Sequence, residues 1–217
     1  MAKKTKPTKD FFIESYMKAV LSDGKPKSVF TFTQKLDLEE SDFYTHFGTF
    51  KALEAAIFDA FFDNTKKTIE QSKEYQNYAA KEQLLSFYFT FFGNLTANRS
   101  YVLEALHGHQ NRLESLQVLK GLRSKFLDYT DELNIDVIQI KNKQADELKD
   151  RVVNETYWVQ MLIILKFWLD DSSADFEKTD IFIEKSVAAS FDLMETKPLK
   201  SVVDLGKFLF KEKMSVR

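Results

Sequence analysis

From Asp10 to Ser22 apolar residues recur at three- and four-residue spacing, with Phe11, Phe12, Tyr16, Ala19 and Val20 on the repeat, which predicts an amphipathic helix. Asp23-Gly24-Lys25-Pro26 stops it. Ser28 is placed to cap a second, short helix over Val29 to Leu36, and a tight connection at Asp37-Leu38 leads into a third over Glu39 to Phe47. Thr49 is placed to cap a long fourth helix that opens with Lys51, Leu53 and Ile57. Two helical patterns thus meet across Gly48, and the order predicts a helix-turn-helix with support on both sides, its third helix being the recognition helix.

The fourth helix is predicted to run to about Ser72. Further helices are expected over Ala80 to Leu95, Tyr101 to Leu106, Asn111 to about Leu133, Ala145 to Leu169, about Phe176 to Glu195, and Leu199 to Lys213. Breaks are expected at Gly93-Asn94, around Gly108, at Asp170-Asp171-Ser172-Ser173 and at Lys197-Pro198, and the polar run Lys141-Asn142-Lys143-Gln144 reads as an exposed loop. Tyr157, Trp158, Met161, Leu162, Leu165, Phe167 and Trp168 occupy more of one helix's circumference than a surface helix needs. That helix is expected to be buried on two sides, by the chain's own core or by a second copy.

Composition narrows the chemistry. Hydrophobic residues make up 44% of 217, with only six Gly and three Pro, and no Gly/Ser linker interrupts the chain. The fold class expected is all-α: an N-terminal three-helix domain followed by a larger helical bundle. Absence of cysteine excludes a disulfide framework, a thiol nucleophile and a cysteine zinc site, and fits a cytoplasmic location. Met1 to Lys9 is basic with no apolar run behind it, so it does not read as a signal peptide. Val159 to Leu169 is interrupted by Gln160 and Lys166 and is too short to span a bilayer.

Catalysis finds little in the sequence. His107-Gly108-His109 lacks a third metal ligand at a characteristic spacing, and neither a phosphate-cradling glycine loop nor a Gly-x-Ser-x-Gly elbow is present. Asp170-Asp171 reads as a pair of solvated loop acids. No enzyme activity, metal or cofactor is expected.

Gly24, the turn pair Leu36 and Leu38, the run Tyr44-Thr45-His46-Phe47 and the helix start Lys51-Ala52-Leu53 are spaced as in the TetR family of bacterial regulators, which residues 10 to 62 resemble. The resemblance implies a helix-turn-helix domain over 1–50, with a basic tail at 1–9, and an effector-binding and dimerisation domain over 51–217. It implies a cytoplasmic homodimer that binds operator DNA and is released by a small apolar or lipid-like effector. Carried over by position, Ser28, Thr31, Tyr44, Thr45, His46 and Lys51 are the DNA-binding candidates, with Tyr44 and Lys51 on phosphates. The late helices Ala145 to Leu169 and Phe176 to Glu195 are the implied dimerisation pair.

The charge pattern departs from the family. Residues 10 to 50 hold Lys18, Lys25, Lys27 and Lys35 against Asp10, Glu14, Asp23, Asp37, Glu39, Glu40 and Asp42, so four minus seven leaves minus three. Asp37 stands where the family often has a turn glycine, and Glu39, Glu40 and Asp42 open the recognition helix. These acids either cap that helix, gaining roughly 0.3–1 kcal/mol each from its dipole, or oppose phosphate, with Lys3, Lys4, Lys6 and Lys9 as the compensating clamp. A second reading therefore keeps the fold and replaces the operator with a lipid or isoprenoid, as an accessory protein.

Phe87, Tyr88, Phe91, Tyr101, His107, Phe126, Tyr129, Tyr157, Trp158 and Met161 are the candidate effector-binding residues, an apolar lining with a few polar tips. An aromatic stripe at helical spacing is nevertheless core more often than cavity, so the same set suits a filled interior.

Overall fold

The computed structural model describes residues 6–107, 117–133, 135 and 143–195, with the backbone alone at 107, 143–152, 194 and 195. The described residues form helices and no strand: α1 Lys9–Asp23, α2 Val29–Gln34, α3 Glu40–Tyr44, α4 Phe50–Glu70, α5 Ala80–Ala97, α6 Arg99–His107, α7 Lys120–Glu132, α8 Lys143–Asp170 and α9 Glu177–Glu195. Two compact units emerge, Met1–Lys67 with Phe91–Lys125, and Thr68–Thr90 with Phe126–Arg217.

The first unit is organised by rings. Phe12, Tyr16, Phe32, Phe43 and Phe47 are all buried. Phe43 sits edge-on to Phe12 at 5.6 Å and to Phe50 at 5.5 Å, and Tyr16 lies 5.2 Å from Phe50. Each helix of the helix-turn-helix therefore contributes to one aromatic core, which fixes their crossing through bulky, shape-specific contacts. Gly24, at φ +80°, ends α1 in a conformation that L residues avoid and returns its N–H to the Val20 carbonyl at 3.1 Å.

α3 is shorter than its pattern predicts. The Phe43 carbonyl accepts from both His46 N and Phe47 N at 2.9 Å, and Thr45 Oγ1 donates back to the Asp42 carbonyl, so the last turn tightens and leaves the α-helix before Phe47. Asp37 holds the turn at φ +55°, a left-handed conformation that Asp tolerates better than most residues.

The break expected at Gly93-Asn94 does not occur. Asn94 donates to Thr65 Oγ1 at 2.9 Å and accepts from Asn64 at 3.2 Å, so its side chain is held by α4 instead of competing for its own backbone, and α5 continues to Ala97. At the other polar run, Lys143 and Gln144 already belong to α8 instead of a loop. The predicted Gly108 break, residues 111–116 of the predicted seventh helix and the helix over Leu199 to Lys213 lie outside the described residues.

In the second unit α8 turns Tyr157, Trp158, Met161, Ile164, Leu165 and Trp168 inward. It packs along α9, where Phe167 stacks on Phe182 at 4.5 Å. Asp171 fastens the connection. Its Oδ1 accepts from Ser173 N and Oγ at 2.8 and 2.7 Å, and its Oδ2 from Thr179 N and Oγ1 at 3.0 and 2.7 Å. The solvated loop acid expected at 171 is thus a buried acceptor.

Candidate nucleic-acid interface

Ser28 and Thr31 cap α2 reciprocally. Ser28 Oγ accepts from Thr31 N at 3.2 Å, and Thr31 Oγ1 accepts from Ser28 N at 3.2 Å while donating to the Ser28 carbonyl at 3.0 Å. Thr45 Oγ1 likewise donates within its own helix. These three hydroxyls are exposed, but their local bonds hold the backbone in shape.

Tyr44 and Lys51 are different. Tyr44 is 52% exposed, its ring resting edge-on against Phe43. Lys51 is exposed on the first turn of α4, where Thr49 Oγ1 accepts from Ala52 N at 3.1 Å and the neighbouring free N–H groups favour an anion. A phenol and an ammonium stand on the two sides of the α3–α4 connection.

The lysines counted in the sequence are not equally available. Lys25 pairs with Glu54 at 3.0 Å, and Lys35 with Asp23 at 2.7 Å, whereas Lys6, Lys9, Lys18 and Lys27 are exposed. The acids divide too. Asp42 Oδ2 accepts from Glu39 N at 3.1 Å, so one of the three carboxylates at the entry of α3 is turned onto its own helix.

His46, expected among the DNA contacts, has Nε2 at 2.9 Å from the Pro7 carbonyl, and its ring lies 5.8 Å from Phe12. Sequence reasoning had no signal for this pairing across 39 positions. It also passed over Phe30, 55% exposed near the start of α2; a large aromatic between the capping Ser28 and Thr31, facing away from Phe32, was the available sign.

Beneath this face, Glu54 is a buried carboxylate accepting from Tyr16 Oη at 2.6 Å and from Lys25. Burial, and then the bond to Glu54, push the Tyr16 phenol far above its ordinary range. Tyr16 is therefore a fixed donor joining α1 to α4.

The effector candidates fall into both units. Phe87, Tyr88, Phe126, Tyr129, Tyr157, Trp158 and Met161 gather in the second, where Phe87 stacks on Tyr129 at 4.6 Å and Phe126 lies 5.4 Å from Phe87 and 6.2 Å from Trp158. Tyr129 donates to the Gln83 carbonyl at 3.1 Å and meets Tyr75 Oη at 2.8 Å. Tyr88 Oη donates over 3.4 Å to the Tyr157 carbonyl and to Gln160 Oε1. Phe91 and Tyr101 belong to the first unit, and the His107 side chain lies outside the described residues.

An all-helical chain opening on a capped helix-turn-helix, with a phenol and an ammonium displayed beside the recognition helix, has the build of a helix-turn-helix regulator. Residues 83–209 match the family model of the tetracyclin repressor-like C-terminal domain, and the chain belongs to the TetR family. No curated protein matches it. No described helix is long and apolar enough to cross a membrane.

Proposed function

We propose that this TetR-family regulator binds operator DNA as a homodimer and leaves it when a small apolar effector enters the second unit. The observation that carries the DNA reading is the pair Tyr44 and Lys51, both exposed at the α3–α4 connection. Lys51 meets phosphate with help from the α4 N-terminus, Tyr44 donates to a neighbouring phosphate, and Phe30 is suited to apolar contact with a thymine methyl. Ser28, Thr31 and Thr45 shape the α2 and α3 ends that enter the groove.

The dimer reading rests on α8. Val159 and Ile163 lie four residues apart on α8 and remain exposed after the inward face is buried, Phe167 is partly covered by Phe182, and α9 adds exposed Ile181 and Leu193. An apolar stripe of this kind is covered most economically by its symmetry mate. The effector is placed in the ring cluster around Phe87, Phe126 and Trp158, where it must part rings already in contact and offers its polar end to Tyr88. It releases DNA by binding more tightly to the arrangement in which the two recognition helices no longer match successive major grooves.

The test is selection from a pool of random duplexes at low and moderate salt. Salt-sensitive enrichment of a palindrome, lost in the Tyr44→Ala/Lys51→Ala protein, supports the reading. The exposed Glu39 favours a second reading, a lipid-binding accessory that has given up the operator; no duplex retention at any salt, together with lipid extracted from the purified protein, would establish that instead.

A further inference from the structure

We propose that Tyr75 is an internal stand-in for the effector, occupying a site where a phenol on the effector takes its place and donates to Tyr129 Oη. The inference rests on the effector reading above and gives that effector a neutral phenolic end. Between α4 and α5, residues 71–79 form a short connection in which Tyr75 alone is buried, at 8% exposure. Ser72, Glu74 and Asn77 bond within the connection. Ser72 Oγ accepts from Tyr75 N at 3.3 Å and donates to Glu74 Oε2 at 2.7 Å, and Asn77 Nδ2 donates to the Lys73 carbonyl at 3.2 Å. Tyr75 ties the connection to the bundle: its carbonyl accepts from Gln83 Nε2 at 3.2 Å, and its hydroxyl meets Tyr129 Oη at 2.8 Å. A segment with one buried side chain opens at lower cost than the helices it joins.

The placement of the protons decides what can replace this ring. Tyr129 donates its own proton to the Gln83 carbonyl at 3.1 Å, so Tyr75 is the donor in the 2.8 Å contact. A replacement must therefore present a flat ring with a hydroxyl donor. An ionised group is disfavoured: burial, and then the bond to Tyr75, push the Tyr129 phenol far above its ordinary range, and the Glu132 charge adds to the rise. Tyr129 is also part of the ring cluster, stacked on Phe87 at 4.6 Å with Phe126 6.3 Å away. Apolar substituents on the phenol add contact area beyond that of a tyrosine ring. They let the effector compete with a residue held on site at an effective concentration on the order of millimolar.

The probes are p-cresol, which is the tyrosine side chain without its backbone, and toluene, which lacks the hydroxyl. Their affinities for wild type, Tyr75→Ala and Tyr129→Phe are measured by ligand-observed NMR. Wild type should prefer p-cresol to toluene by about tenfold, the equivalent of one buried hydrogen bond. Tyr129→Phe should lose that preference, and Tyr75→Ala should bind p-cresol at least about tenfold more tightly than wild type, because the internal competitor is gone. Equal affinities for the two probes in wild type, or a preference that survives Tyr129→Phe, overturns the inference while leaving an apolar effector site intact. Binding of neither probe overturns it too. Wild type and Tyr129→Phe decide the question even where Tyr75→Ala does not fold. The absence of native cysteine allows a spin label at Gln76→Cys. Its mobility should rise when p-cresol binds in the wild-type background and not in Tyr75→Ala; p-cresol bound with unchanged mobility also overturns the inference. Duplex DNA retained at saturating p-cresol, with the label mobilised, would sink effector control of the operator and leave the phenol site standing.

Discussion

The carboxylate of Asp59 occupies the space where a side chain at position 121 would begin. A Cβ on Gly121 would stand 2.2 Å from Asp59 Oδ1, an oxygen that is buried and accepts no hydrogen bond among the described residues. Burial raises the Asp59 pKa, with Lys125 opposing the rise. Gly121→Ala is expected to cost about 1–3 kcal/mol through overpacking. Asp59→Ala should be neutral or stabilising at pH 7, and in that background Gly121→Ala should lose its penalty and gain up to about 1 kcal/mol from helix propensity. Denaturant unfolding of the four proteins measures the coupling; additive effects would show that the two positions do not collide.

Asp171 predicts an acid-labile contribution. Burial works against its ionised form, but hydrogen bonds from Thr179 and Ser173 outweigh it and hold the carboxyl to about 2. A depressed acid pKa stabilises the fold above the unfolded-state value of about 3.9, and that stability is lost as pH falls toward 2. Asp171→Ala should cost about 1–2 kcal/mol at pH 7, as for a lost cap. The difference from wild type should shrink between pH 4 and pH 2 in thermal melts; a pH-independent difference would mean that lost packing, not charge, explains the cost.

Asp37 tests the turn. Asp37→Val, at φ +55°, should lose about 1–2 kcal/mol, whereas Asp37→Gly should be tolerated. Equal stability of the three proteins would mean that the turn rearranges.

The outer stripe of α8 gives an assembly prediction. Ile163→Glu places a charge at the middle of Val159, Ile163 and Phe167 and should convert a dimer to a monomer in sedimentation without altering helix content. A variant that remains dimeric would move the interface elsewhere.

On DNA, Lys51→Ala should weaken binding uniformly across sequences and reduce the salt slope by about 0.9. A sequence-dependent loss would make Lys51 a base reader.

The helix-turn-helix was legible because its signal is local: Phe12, Tyr16, Phe32, Phe43 and Phe47 repeat at helical spacing and all enter the core. Helix ends were less so. Asn94 looks like a breaker until its partners Thr65 and Asn64 are known, about thirty positions back. Asp171 looks like a loop acid until Thr179, in the next helix, closes on it. At the candidate interface, sequence position chose exposed residues but not their commitments. Ser28, Thr31 and Thr45 serve their own helices, and His46 holds Pro7; these bonds depend on side-chain direction, which residue spacing along the chain does not specify.

Within the first unit, α4 makes directional contacts at successive heights: Glu54 with Tyr16 and Lys25, Asp63 with Lys125 at 2.6 Å, and Thr65 with Asn94. Apolar surfaces alone would allow a helix to roll, since one greasy contact substitutes for another. Hydrogen bonds and ion pairs index it like a keyed shaft. A roll of one residue, about 100°, would separate all of these pairs together, so they resist rotation of α4 about its own axis. The Thr49–Lys51 end of α4 is therefore held in one rotational setting against Tyr16 of α1.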